Sequence, residues 1–227
     1  MDSQSNDINL DLSQYEMPRF IAVEGSIGVG KTTLAKRLAA TFNYDTLLEQ
    51  PEENPFLEKF YQDKSSAALP TQLYFLFQRS KQLKALNQAD IFRPVRVSDF
   101  LMDKDPIFAQ VTLDADELNL YSMVYQQLVM DTPTPDLVIY LQAPTDVLLD
   151  RIYSRGKAME QHISKDYLST LNDAYTHFFH YYEEAPLLIV NATEIDLVNN
   201  DLDYRNLVEY LLSVKTGRHY YNPAPHR

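Results

Sequence analysis

The chain has 227 residues, 45% of them apolar and 23% charged, with a formal net charge of −12 and no cysteine. That length accommodates one domain with a sizeable buried core, and the acidic balance argues against a broad nucleic-acid footprint, which needs a basic face. Without cysteine there can be no disulfide, thiolate metal site or cysteine nucleophile, and no apolar run approaches the roughly 20 residues of a membrane-spanning helix.

The first residues, Met1 to Glu16, are polar and acidic, with no basic start and no apolar run of the signal-peptide kind. They are expected to form a loose tail ahead of a single domain over residues 17–227, and the absence of cysteine agrees with a reducing cytoplasm. Arg19 to Gly25 reads as a strand that ends at a glycine-rich turn. Lys31 to Phe42 follows as a helix, with Leu34, Ala35, Leu38, Ala39 and Phe42 at helical spacing. Further strands are expected at Tyr44–Gln50, Pro94–Phe100, Asp136–Gln142 and Pro186–Asn191. Between them, helices are expected over about Pro70–Ala89, from Asp114 to about Met130, after Pro144, and over about Lys165–Glu184. Asp114 and Glu117 have the spacing of a capping box. Apolar strands alternating with helices imply an α/β fold: a five-stranded parallel sheet with helices on both faces, its ligands beyond the carboxyl ends of the strands.

The turn after the first strand, Gly25-Ser26-Ile27-Gly28-Val29-Gly30-Lys31-Thr32, satisfies G-x-x-x-x-G-K-[ST], and three of the five glycines of the chain fall within it. Glycines let the backbone turn tightly and aim its N–H groups at phosphate, and the helix that begins at Lys31 adds the positive end of its dipole. Lys31 is placed to reach the β- and γ-phosphates of ATP, with Gly25, Ser26, Gly28, Val29, Gly30, Thr32 and Thr33 lining the cradle and the Thr32 hydroxyl on Mg²⁺. The cradle alone does not separate switch from enzyme. No N-K-x-D base-recognition motif and no extended apolar run closing in Asp-Glu is present, so the layout favours a compact kinase.

Arg151, Arg155 and Lys157 then bring three cations together within seven residues, with Gly156 as a pivot. Taken alone they could simply complement the C-terminal dipole of a helix. Beside a phosphate cradle they read as a short Arg/Lys lid, about residues 154–163, that covers the migrating phosphate and excludes water.

With these motifs in place, the chain resembles the deoxyribonucleoside kinases of the deoxycytidine, deoxyguanosine and deoxyadenosine type from about Arg19 to Tyr182. The resemblance is carried by EGSIGVGKTTLA, by Glu49 followed by ENPFLEKFY, by LPTQLYFLFQR, by DPIFA, and by YLQAPTDVLLDRIYSRGKAMEQ followed by YLSTLNDAY. It implies a P-loop kinase fold and transfer of the ATP γ-phosphate to the 5′-hydroxyl of a deoxyribonucleoside. It implies that Glu49 is the catalytic carboxylate, that Tyr61 and Glu160 hold the sugar 3′-hydroxyl, that Gln72 makes a bidentate contact to the base, and that Phe108 stacks on it. Arg79 matches an arginine found near the base in purine- and deoxycytidine-preferring members. Lys31, Arg151, Arg155 and Lys157 would stabilise the in-line transition state, Thr32 and Asp99 would hold Mg²⁺, and the protein would be a homodimer.

The chain departs from the family at the end of the third strand. Asp/Glu-Arg-Ser is usual there, but this sequence has Asp99-Phe100-Leu101, keeping the acid and losing the arginine. Lys104 is a candidate for the missing charge, as a point charge and not a planar fork. Asp103 and Asp105 both qualify as the family's base-recognising aspartate, and Lys157 stands where the lid usually has arginine. Two other readings share the fold: a nucleotide-binding subunit that has lost catalysis, and a nucleoside monophosphate kinase. The latter is disfavoured by the acidic stretch from Glu49 to Glu58. The stripe Leu118, Tyr121, Tyr125 and Leu128 suits a dimer face or the core equally.

Overall fold

The computed structural model describes residues 12–88, 96–130, 132–193, 195 and 200–223. In chain order these form β1 (Phe20–Gly25), α1 (Lys31–Phe42), β2 (Asp45–Leu47), α2 (Leu57–Gln62), α3 (Lys64–Gln88), β3 (Arg96–Ser98), α4 (Asp105–Thr112), α5 (Ala115–Val129), β4 (Leu137–Gln142), α6 (Thr145–Arg155), α7 (Lys165–Tyr181), β5 (Leu187–Asn191), α8 (Asp201–Ser213) and β6 (Arg218–Tyr221). The strands make one sheet in the order β2-β3-β1-β4-β5-β6, and every neighbouring pair is parallel.

The central strands show why the sheet is buried on both faces. Ile21, Ala22 and Val23 of β1 and Val138 and Ile139 of β4 are all fully buried, so consecutive side chains pointing to opposite faces both meet apolar cover. On α1, Leu34, Ala35, Leu38, Ala39 and Phe42 form the buried stripe, as their spacing predicts. That helix stops at Asn43, whose left-handed φ of 58° turns its N–H back onto the Ala39 and Ala40 carbonyls. At the start of α5 the Asp114–Glu117 capping box forms in both directions.

The sheet has six strands, not the expected five. The extra strand, Arg-His-Tyr-Tyr, lies at an edge with no residue fully buried, so it lacks the apolar run by which the other strands are recognised. Helices α2, α4 and α8 are likewise additions to the expected set. The stripe on α5 belongs to the core: Tyr121 is buried, and Leu118, Tyr125 and Leu128 pack with it against Leu76, Leu83 and Phe100. Of the expected tail, residues 1–11 lie outside the described residues, as do Ala89, Pro94 and Val95 of the expected helix and strand. Leu12–Gln14 form a 3₁₀ turn, and Leu12 and Tyr15 pack against the core. No helix among the described residues is long and apolar enough to cross a membrane. Because the strands are parallel, Gly25, Glu49 and Asp99 all end or follow their strands at the carboxyl-terminal end of the sheet.

Candidate active site

At that end of the sheet the loop from Gly25 to Gly30 wraps the start of α1. Gly28 has φ +86°, and a Cβ there would lie 2.8 Å from both the Leu148 carbonyl and the Ile152 side chain. Only glycine lets the loop pack against α6 while keeping its left-handed turn. Lys31 curls over the loop, its Nζ donating to the Gly25 carbonyl at 2.8 Å and the Ser26 carbonyl at 3.3 Å. The Thr32 hydroxyl donates to Asp99 Oδ2 at 2.5 Å, and Asp99 Oδ1 accepts the Glu49 N–H at 2.8 Å. One carboxylate thus ties the phosphate loop to the residue expected to act on the acceptor.

Glu49 is surrounded by cations. Arg79 Nε donates to its Oε1 at 2.6 Å, Arg79 Nη2 lies 2.5 Å from the same oxygen, and Lys104 Nζ is 3.2 Å from it. Burial by itself pushes this carboxyl up, but the charges of Arg79, Lys104 and Lys31 outweigh it and hold it down at about 2. The other end of the Arg79 fork pairs with Asp105. Of the two aspartates left open by the sequence, Asp105 is therefore the one beside Arg79, whereas the charge of Asp103 acts on Tyr125 and Tyr182. Lys31 has its ammonium pushed below the ordinary lysine range, first by burial and then by the charge of Lys104.

These groups open on a cavity of about 380 Å³, within the usual range for small-molecule sites. Gly28, Lys31, Thr32 and Asp99 line it, together with Tyr61, Gln72, Phe108, Glu160, Glu49 and Arg79. The sequence-expected acceptor residues are therefore brought together around one space. Gln72 is buried and donates to the Thr112 hydroxyl at 3.3 Å, while the Phe108 ring stands edge-on to Tyr175.

The lid segment lies over this cavity. Helix α6 ends at Gly156 (φ +68°), and Ala158–His162 form a 3₁₀ turn packed against α2. Arg155 pairs with Glu160, and Lys157 Nζ reaches Glu52 Oε1 at 2.5 Å. Arg151 does not line the cavity: it donates to the carbonyls of Ala192 at 2.7 Å and Thr193 at 3.3 Å, behind the phosphate loop. With a third, long contact to the Val29 carbonyl at 3.5 Å, it joins α6 to the phosphate loop and to the segment after β5.

One residue of the site escaped the sequence reading. Glu24, in β1, is fully buried, and its carboxylate accepts from the N–H groups of Leu101 (2.7 Å) and Gly25 (3.0 Å) and from the Tyr175 hydroxyl (3.2 Å). Lys104 Nζ lies 3.0 Å from it. The available signal was a carboxylate inside a strand otherwise apolar on both faces, which cannot stay charged there without partners. Phe100 is fully buried among apolar side chains and takes no part in the site.

A phosphate loop at the head of a parallel sheet, a carboxylate beside it and a cationic lid define a P-loop phosphotransferase. The sequence matches the deoxynucleoside kinase family over residues 21–214, and the chain belongs to that family. It is an enzyme, an ATP-dependent kinase. It is similar to a deoxyguanosine kinase of Bacillus subtilis strain 168, 35% identical over 200 residues that make up 85% of this chain and 95% of the relative. A deoxyadenosine/deoxycytidine kinase of the same organism is 30% identical over 217 residues, 89% of this chain and 97% of the relative. Among solved structures, a deoxyadenosine kinase from M. mycoides with dCMP and dCDP bound superposes with a TM-score of 0.75 at 30% identity, covering 86% of this chain and all of that one.

Proposed function

We propose that the chain transfers the γ-phosphate of ATP to the 5′-hydroxyl of a deoxyribonucleoside, with purine deoxynucleosides and deoxycytidine preferred. The observation that carries this reading is the opening of the phosphate loop and the Glu49 carboxylate on one cavity. The preference rests on Gln72 and on the Arg79–Asp105 pair, and the names of the relatives, deoxyguanosine and deoxyadenosine/deoxycytidine kinases, support it.

In this mechanism Glu49 orients the hydroxyl and takes its proton. Held at about 2, it is a weak base in the resting site, so proton transfer falls late, as the oxygen is already bonding to phosphorus. Tyr61 and Glu160 hold the 3′-hydroxyl, and Phe108 stacks on the base. Lys31, Arg155 and Lys157 act on the phosphates, with residues about 154–163 as a lid on a single domain over 17–227. Arg155 leaves its Glu160 pairing, and Lys157 its Glu52 pairing, to do so. Arg151 belongs to the far side of the ATP site. Thr32 and Asp99 fit Mg²⁺: they are adjacent hard oxygen donors, and the ion takes few protein ligands beside substrate phosphates. Bound there, Mg²⁺ would neutralise phosphate charge.

The assembly is proposed to be a homodimer joined through the exposed apolar side chains Phe77 on α3 and Leu120 and Met123 on α5, in a reducing cytoplasm that suits a chain without cysteine. A coupled ADP-release assay over the four deoxynucleosides tests the activity. Turnover is expected with deoxyadenosine, deoxyguanosine or deoxycytidine, and Glu49→Gln should keep nucleoside affinity while losing roughly 10²–10⁴-fold in kcat. Silence of the wild-type enzyme with all four, or normal turnover by the variant, would reject the reading.

A further inference from the structure

We propose that Lys104, seated by Glu24, is a catalytic residue of this site, its ammonium contacting the attacking 5′-oxygen and stabilising the charge that develops there. The proposal rests on the deoxynucleoside kinase reading and adds to it a positive group for the acceptor side, which the buried Phe100 leaves without one at the strand end.

Of the other cations lining the cavity, Lys36 is exposed on α1 and the remaining four are engaged elsewhere. Arg79 is shared between Glu49 and Asp105, Lys31 lies on the phosphate loop, and Arg155 and Lys157 belong to the lid. Lys104 comes from the 3₁₀ turn Met102–Lys104 and lines the cavity beside Glu49, yet its side chain is only 1% exposed. An ammonium so deeply buried is sustained by its two carboxylate neighbours, Glu24 at 3.0 Å and Glu49 at 3.2 Å. Glu24 does not depend on Lys104 for hydrogen bonds, since two backbone N–H groups and the Tyr175 hydroxyl already donate to it. The ammonium carries three N–H donors and these two carboxylates account for two of them.

The geometry at Glu49 is directional. The contacts from Arg79 and Lys104 all fall on Oε1, which leaves Oε2 for the substrate hydroxyl. A hydroxyl on Oε2 lies one carboxylate width from Oε1 and so beside the Lys104 ammonium. As the reaction proceeds, the 5′ O–H bond breaks with its proton passing to Glu49. The oxygen forms its bond to the γ-phosphorus, and the bond from that phosphorus to ADP breaks with its electron pair leaving on ADP. Lys104 keeps its proton throughout and acts by charge alone. Glu24 is a positioning residue: it fixes the ammonium and touches no reacting atom.

Lys104→Met alone leaves Glu24 as a buried charge and can unfold the protein, so the decisive variant is Glu24→Gln/Lys104→Met, which removes both charges together. It is expected to fold cooperatively at a lowered melting temperature, because the amide sets its NH₂ against one of the two backbone N–H groups that the carboxylate accepted. It should bind deoxynucleoside within about threefold, while kcat falls by roughly 10²–10³-fold, the usual loss on removing one transition-state donor. Glu24→Gln should lower kcat when Lys104 is present and cost nothing further in the Lys104→Met background. A double variant with kcat within about threefold of wild type would overturn the role of Lys104. Equal losses from Glu24→Gln in both backgrounds would overturn the seat. A wild-type enzyme inactive on every deoxynucleoside would reject the kinase reading and this proposal with it, whereas the first two outcomes in an active enzyme reject this proposal alone.

Discussion

Arg79 and Glu49 show how one charge pair serves both structure and site. Arg79 is almost fully buried and holds two carboxylates at once, Glu49 and Asp105. Removing it with Arg79→Met takes that ion pair from Asp105 and leaves Glu49 with Lys104, and losing one partner of a buried pair costs about 3–5 kcal/mol. The cost has a pH signature. Glu49 is held at about 2 against an ordinary value of 4.5, so its contribution to stability is complete above about 4.5 and disappears as pH falls towards 2. Urea unfolding from pH 7 to pH 2 should therefore show the difference between wild type and Arg79→Met shrinking as Glu49 protonates. A difference that stays constant with pH would mean that Arg79 does not set the ionisation of Glu49. At this scale the sequence was legible where a motif ties a residue type to one place, as with Lys31, Thr32 and Glu49. It was silent on Glu24, whose partners Leu101, Lys104 and Tyr175 are 77 to 151 residues away.

Among elements, the loop from Gly25 to Gly30 carries the sharpest steric demand. Gly28 and Gly30 both have positive φ, +86° and +105°, but only at Gly28 would a Cβ meet other atoms. Gly28→Ala should therefore lower both the melting temperature and ATP affinity, while Gly30→Ala bears the backbone strain alone, about 1–2 kcal/mol. Thermal melts and ATP titration check this, and equal effects at the two positions would contradict the packing of the loop on α6. Long elements with a clear period were readable: α1, α5, β1 and β4 lie where the apolar spacing and the Asp114–Glu117 cap put them. The short helices α2 and α4 were not, because six and eight residues carry too little periodicity to stand out. Strand β6 was missed because an edge strand need not be apolar on both faces.

For the whole molecule, the exposed apolar side chains are the feature that the monomer leaves unexplained. Leu120 and Met123 are 49% and 61% exposed on α5, whose other face is already packed on α3. If they meet a second copy, Leu120→Glu/Met123→Glu should convert the protein from dimer to monomer in light scattering while leaving the fold intact. A wild-type protein that is monomeric at micromolar concentration would remove the dimer from the proposal. The net charge of −12 places no bar on nucleotide binding, because six lysines and arginines line the cavity at the carboxyl-terminal end of the sheet. The alternation of apolar strands and helices, and the glycine-lysine-threonine loop between the first pair, were determined by the sequence itself. Both are local patterns, written in the spacing of neighbouring residues. Which aspartate meets Arg79, that Lys104 lies beside Glu49, and how a buried glutamate in the first strand holds that lysine were decided only by the tertiary structure. Those contacts join residues far apart in the chain, and burial then makes each unpaired charge too costly to leave alone.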